Sequence, residues 1–360
     1  GCLADEPVPA GVADELRGLS ERLAVVPVGR FARWVRAGLS VMTGRSLSEG
    51  AFAEPALRRV VRDWAGRTRF AAAVVSASSL APYLRLKPLA DTPKVVDLVD
   101  VDSQKWLDFA AATRGPRRWL YRLKAARVRK LECGLPRWTQ ALSLVSRAEA
   151  DVFESYAGRG TVSVATNGVD LEYFAPVGGP TEQACAFVGA MDYLPNVDGV
   201  IWFAREVWPL IRADFPAAEF RIIGRKPTPA VQALAALPGV TLIGQVPDVR
   251  PHVASAAVAV VPLRLARGIQ NKVLEALAMG KPVVAAPPAL VALAAVPGEH
   301  LLAATTPAEW VEALGKLFSD PRRCQELGAA GRRLVEEHYH WDRCLEPLLE
   351  KIFAPAVVPA

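Results

Sequence analysis

Short β-branched runs alternate with amphipathic helical patterns along the whole of this 360-residue chain, and that alternation leaves few architectures open. Parallel strands need a crossover long enough to hold a helix, so repeated strand–helix–strand units predict parallel sheets of an α/β protein. In the first half the strand candidates are 23–28, 71–76, 94–101, 142–146 and 161–165. In the second half they are 185–189, 220–224, 240–243, 258–262, 282–285 and 300–303. Between them, Val200, Ile201, Phe203, Ala204, Val207, Trp208 and Ile211 recur at helical spacing and predict a helix over 197–211. Segments 229–237 and 307–317 read similarly, each opening on a proline, whose missing N–H costs nothing there.

The length exceeds that of one ordinary domain, and the Gly/Pro-rich stretch 175–181 is the natural linker. Two doubly wound halves follow, and in such sheets ligands sit at the carboxyl ends of the strands. Hydrophobic residues make up 51% and charged residues 22%, enough for a substantial core. A net charge of +6 suits phosphorylated ligands or anionic surfaces without reaching the basic density of a nucleic-acid binder. The five cysteines are scattered with no CxxC pair, which points to a reducing, cytoplasmic compartment and to no zinc site. The longest uncharged stretch, 282–298, is broken by four prolines and is too short to span a bilayer. The chain opens Gly1-Cys-Leu-Ala-Asp-Glu with no strand in view, as though it began inside a domain.

The segment from Val258 to Val284 carries the most chemistry. A buried strand leads to a loop with Gly268, a helix over 271–279, then Gly280 and another strand. Backbone N–H groups at such a helix start, with the helix dipole, form an anion site. Arg264, Arg267 and Lys272 add positive charge there. Glu275, one turn in, can accept hydrogen bonds from both hydroxyls of a ribose. Phosphate at the tip and ribose one turn deeper make a coherent nucleotide site. The same spacing also fits a plain strand–turn–helix with Lys272 and Glu275 solvated, and spacing alone does not separate the two.

Together with the motifs at 187–198, 167–170, 227–229, 244–250 and 99–103, in that family's order, this segment resembles family 4-like glycosyltransferases of the GT-B fold. More narrowly, it resembles the sugar transferases of bacterial exopolysaccharide systems associated with PEP-CTERM sorting. The resemblance implies two Rossmann-like doubly wound domains facing a cleft. Residues 1–174 would be acceptor-side, 175–338 would bind the nucleotide-sugar donor, and a helix in 339–360 would return towards the first domain. It implies donor contacts at Gly189, Gly268, Ile269, Gln270, Asn271, Lys272 and Glu275; Val246 fits either a backbone contact to the base, as the equivalent turn makes in relatives, or a plain turn, and Arg225 and Lys226, at the carboxyl end of a strand, fit either donor contact or a solvated loop pair. Many relatives carry Glu-x7-Glu here, the first Glu near the donor sugar; Glu275 matches the second, but Arg267 occupies the first. The loop 189–196 holds none of the basic residues that relatives place there, so the diphosphate charge falls to Arg267 and Lys272, with Arg225 or Lys226. Relatives also begin with a strand and a Gly loop, both expected to be missing here, which would leave the first domain incomplete.

In the first half, Asp97-Leu-Val-Asp-Val-Asp-Ser103 ends a buried strand with Asp100 and Asp102 in a D-x-D arrangement. Readings are substrate contact facing the cleft, helix capping by Ser103, metal binding or a catalytic role; no metal site is assigned. Residues 114–130 carry eight basic side chains and no acid, with Trp119, Leu120, Leu123 and Val128 as an apolar stripe. That stripe fits either peripheral contact with a membrane or packing on its own domain. Membrane contact would suit a lipid-linked acceptor, and no nucleic-acid partner is expected.

The expected function is therefore transfer, with retention, from a nucleotide diphosphate sugar to an exopolysaccharide acceptor, without an obligatory metal or other cofactor. The alternatives are a nucleotide-sugar epimerase of the same fold and a non-catalytic nucleotide-binding fragment.

Overall fold

Among the described residues, the parallel pairing expected from the alternation is realised in three sheets. The computed structural model describes residues 1–160, 162–179 and 181–353. Of the predicted segments, residue 161 of a strand, residue 180 of the linker and residues 354–360 of the tail lie outside the described residues. The chain forms two units, Gly1–Ala165 with the chain from Pro347, and Thr166–Glu346.

In the first unit, β1 (Cys2–Ala4) pairs with β2 (Val25–Pro27). A second sheet holds β3 (Ala73–Ser76), β4 (Lys94–Val99), β5 (Ala141–Leu144) and β6 (Ser163–Val164) in that order. The helices are α1 (Ala10–Gly18), α2 (Arg30–Met42), α3 (Leu47–Phe52), α4 (Pro55–Arg67), α5 (Asp102–Ala112), α6 (Pro116–Gly134) and α7 (Arg147–Ala157). Val95, Val96 and Leu98 of β4 are buried with Leu142, Leu144 and Phe153, because a parallel strand covered on both faces reads as a continuous apolar run. Strand β1 lies outside the strand candidates read from the sequence. Three residues show no alternation of their own, and the strand is defined by its partner, Cys2 N–H donating to the Ala24 carbonyl at 2.8 Å.

The second unit holds β7 (Glu182–Val188), β8 (Glu219–Ile223), β9 (Val240–Gly244), β10 (Ala256–Val261), β11 (Val283–Ala285) and β12 (Leu302–Ala303). All run parallel, in the order β12-β11-β10-β7-β8-β9. Its helices are α8 (Leu194–Trp202), α9 (Trp208–Asp214), α10 (Pro229–Gln232), α11 (Arg250–Ser255), α12 (Asn271–Ala278), α13 (Pro307–Ser319) and α14 (Pro321–His338). The last, α15 (Trp341–Phe353), passes from this unit into the first at Pro347. The helix predicted over 197–211 is α8 and α9 joined by a π turn, Phe203–Val207. Pro209 explains the widening: its ring has no N–H to donate and crowds the carbonyl four residues back. Phe203, Trp208, Phe220 and Trp310 fill the core beside this turn, with ring centroids of Phe203 4.8 Å from Phe220 and 5.2 Å from Trp310. Thr306 and Glu309 start α13 with a reciprocal capping box.

Two glycines on α14 let it lie against the end of α12: a Cβ on Gly328 would come 2.0 Å from the Gly280 carbonyl oxygen, and one on Gly331 would meet Leu277 at 2.5 Å. Arg332 adds hydrogen bonds to the carbonyls of Ala278, Phe174 and Leu171 at 2.5, 3.2 and 3.3 Å. The helix bearing Glu275 is thereby fixed from its far end. No helix among the described residues is long and apolar enough to cross a membrane.

Candidate nucleotide site

Strand β7 comes first in the second unit, yet the chain then builds β8 and β9 on one side of it and β10 to β12 on the other. The connections after β7 and β10 therefore diverge, and the gap left at their carboxyl ends is where open α/β sheets take ligands. Gly189 follows β7, and the loop ending at α12 follows β10.

Backbone hydrogen bonds lace the strand ends together. Gly189 N–H donates to the Ile223 carbonyl at 3.0 Å and Gly224 N–H to Gly244 at 2.7 Å. Met191 N–H reaches the Arg225 carbonyl at 2.8 Å. Arg225 and Lys226 are exposed on this turn, Lys226 in a left-handed conformation at φ 56°.

Asn196, buried in the first turn of α8, connects both sides of the gap. Its Nδ2 donates to the Ala190 carbonyl at 2.9 Å, and its Oδ1 accepts from Lys272 Nζ at 2.7 Å. The Lys272 ammonium also lies 4.7 Å from the centre of the Phe187 ring, within range of a cation–π attraction. Burial pushes the Lys272 amine down to about 8, while nearby Glu275 pulls it upward. Burial raises the Glu275 carboxyl above its ordinary value, with Lys272 acting the other way.

The helix start is shaped by the loop before it. Gly268 takes φ 60°, Gln270 Nε2 donates to the Arg267 carbonyl at 2.8 Å, and the Ile269 side chain is buried as an anchor. No side chain caps α12 at Gln270, so its first N–H groups suit an external anion. Asn271 Oδ1 is held by Asn167 Nδ2 at 2.9 Å. One turn in, Lys272 and Glu275 border an apolar recess lined also by Phe174, Val188, Val249 and Met279. Val246, like Val188 and Val249, packs on the buried cluster of Ala184, Ala186, Ile223 and Ala256.

Within the second unit, then, Gly189, Lys272 and Glu275 lie around the switch point, while Val246 packs on the cluster whose Ala186 also lines the recess. Arg264 departs from its expected part. It forms a two-pronged ion pair with Asp198, at 2.9 and 2.5 Å, which answers its charge locally. Asn196, Asp198 and Asn167 escaped the sequence reading as site residues. Each is an uncharged or acidic side chain whose significance lies in its partner, 76, 66 and 104 residues away.

In the first unit, Asp100 follows β4 and Asp102 begins α5. Ser78 Oγ donates to Asp102 at 2.6 Å, and Val99, just before Asp100, takes φ 65°, an unusual conformation for a β-branched residue. Ser103 does not cap α5: the preceding residue is Val101. Buried carboxylates take the cap's place, with Val101 N–H donating to Glu149 at 2.7 Å and Ser103 N–H to Glu132 at 3.1 Å. Among the described residues, no group of three or more His, Cys, Asp or Glu gathers to hold a metal. The stripe on α6 is divided: Val128 is buried and Leu123 half-buried, whereas Trp119 and Leu120 face outward.

The second unit is thus a parallel α/β domain with an uncapped helix start and a carboxylate one turn deeper. Residues 182–320 match the family described as Glycosyl transferases group 1. No curated protein matches the chain. Among solved structures, the chain is similar to HepE from Anabaena in complex with UDP and glucose, at 13% identity and a TM-score of 0.67, covering 97% of this chain and 90% of that one. It is similar to sucrose-phosphate synthase from Thermosynechococcus elongatus at 18% identity and a TM-score of 0.66, covering 83% and 78%. TarM from S. aureus gives 14% identity and a TM-score of 0.60, with 78% and 55% covered, so the chain spans about half the length of that protein. At these identities the likeness establishes the fold, the α/β architecture of GT-B glycosyltransferases.

Proposed function

We propose that this chain is a glycosyltransferase that takes a sugar from a nucleotide diphosphate sugar, holding the diphosphate at the start of α12 and the ribose on Glu275. One observation carries the proposal: the Lys272 amine, fixed by Asn196 at the switch point, sits one helical turn from Glu275. Departure of the diphosphate places negative charge at the Lys272 ammonium and the N–H groups of α12, and Arg267, in the loop that feeds α12, is assigned as the further cation. Preorganised charges of this kind are the largest single contribution in many enzymes, and this scheme asks for no obligatory metal. The UDP and glucose held by HepE support a uridine nucleotide as the first donor to test.

The family resemblance of the motifs supports the finer part: a hexosyl transfer with retention, to a lipid-linked exopolysaccharide acceptor of the PEP-CTERM-associated kind. In that scheme the first unit receives the acceptor near Asp100 and Asp102, at the cytoplasmic face of a membrane.

Calorimetry with uridine, guanosine and adenosine diphosphates and their sugars tests the donor site. One of them should bind, and Glu275→Gln should weaken it by about 1.5–3 kcal/mol, the worth of hydrogen bonds to a charged group. Binding by none of them, or equal binding by Glu275→Gln, overturns the site. Sugar altered with donor alone would mark an epimerase instead.

A further inference from the structure

Helix α2 is turned inside out. A helix on a protein surface ordinarily faces its apolar stripe to the core. Here the inner face is Arg33, Arg36, Ala37 and Ser40. Arg36 pairs with Glu54 at 2.7 Å, and Arg33 lies 3.3 Å from Asp5 and 4.8 Å from the centre of the Phe52 ring. Gly50 of α3 packs so closely that a Cβ there would stand 2.4 Å from Ser40 Oγ, leaving no room for larger side chains on this face. The outer face carries Phe31 (84% exposed), Trp34 (73%), Leu39 (58%) and Met42 (84%), at helical spacing. A contiguous apolar face of this kind on one helix marks a docking surface.

Charge says what docks. Residues 1–165 hold 26 basic and 17 acidic side chains, a net +9, against +6 for the whole chain. Exposed Arg30 and Arg45 flank α2 at its two ends. Arg127 of α6 donates to the carbonyls of Val41 and Arg45, at 2.7 and 3.0 Å, tying the basic helix to the end of α2. An apolar face with aromatic residues, framed by arginines, fits the boundary between headgroups and acyl chains of an anionic bilayer. A second copy of the chain is a poorer partner, since a two-fold contact would set this positive unit against itself.

We propose that α2 is an interfacial helix that docks the first unit on an anionic lipid surface, with Phe31, Trp34, Leu39 and Met42 among the acyl chains and Arg30 and Arg45 on the phosphates. This places the contact on α2 rather than on the stripe of α6, and it holds whichever donor or acceptor the chain uses.

The test is flotation of the full chain with vesicles of phosphatidylcholine alone or mixed with phosphatidylglycerol. The chain should float with the mixed vesicles only. The variant F31S/W34S/M42S should lose binding by at least ~10-fold, since each side chain gives up apolar burial, and R30E/R45E should weaken it and its salt dependence. W119S/L120S on α6 should float nearly as the parent does. The substituted side chains are exposed, so thermal melts should match the parent. Failure to float with anionic vesicles, equal flotation with neutral ones, or full binding by F31S/W34S/M42S overturns the proposal. So does a dimer by light scattering that this variant converts to monomer.

Discussion

A methyl group on Gly224 would lie 1.7 Å from the carbonyl oxygen of Gly189. The ends of β7 and β8 approach so closely that only a hydrogen atom fits, and Gly224 holds φ 153° while its N–H bonds Gly244. Gly224→Ala must push the two loops apart, opening the floor of the site from below. Overpacking of this kind costs about 1–3 kcal/mol. Urea unfolding should show that loss as a lower midpoint with unchanged slope; an unchanged midpoint would show that the loops yield freely.

Gly189→Ala separates binding from folding. Its Cβ would meet Asn196 Nδ2 at 2.7 Å and Lys272 Nζ at 3.3 Å, both side-chain ends that can move. The fold should persist, with a smaller stability loss than Gly224→Ala, while the Asn196–Lys272 hydrogen bond is displaced. Nucleotide diphosphate affinity should fall by roughly tenfold, the worth of one charge-assisted bond mispositioned. Calorimetry and a thermal melt on the same sample check both halves; equal affinity would mean that Lys272 does not need its present position.

The strands were legible because residues covered on both faces form apolar runs, as Val95, Val96 and Leu98 do. The helix start at Asn271 and the carboxylate at Glu275 were legible from spacing. What stayed hidden depends on partners. Asn196 reads as a loop residue until the fold sets its amide beside Lys272, and Arg264 reads as a free cation until Asp198 meets it. Ser103 has the right chemistry for a cap, yet Glu132 and Glu149, from other helices, serve the same N–H groups. Periodicity can declare α2 a helix, but it cannot tell that Arg33 and Arg36 turn inward. That follows only from Asp5, Phe52 and Glu54 being brought there.

The titration of Lys272 gives two pH dependences of opposite sign. Burial lowers the amine from 10.5 to about 8, so between those values the unfolded chain binds more protons than the folded one. Stability of the empty protein should therefore rise with pH through that window, and Lys272→Met should lack this rise. Donor binding wants the ammonium, so affinity should fall above about 8, by at most tenfold per pH unit. Calorimetry in buffers of different ionisation enthalpy should show proton uptake on binding near that pH. Affinity that is level through pH 9 to 10 would remove Lys272 from the diphosphate site.

Arg264 and Arg267 are alike by sequence, and the structure separates them. Arg264 is half-exposed at its side chain and engaged by both oxygens of Asp198. Exposed pairs of this kind contribute little, so Arg264→Ala should change stability and nucleotide affinity by less than about 1 kcal/mol. Arg267 is half-buried, beside Gly268 in the loop that feeds α12, with its carbonyl fixed by Gln270. Under the proposed donor scheme its guanidinium meets the leaving diphosphate, and Arg267→Ala should weaken nucleotide diphosphate binding by about 1.5–3 kcal/mol. The nucleoside without phosphates should bind both variants and the parent alike. If Arg264→Ala proves the costlier change, the charge at the helix tip comes from Arg264 after release from Asp198, and the roles of the two arginines are reversed.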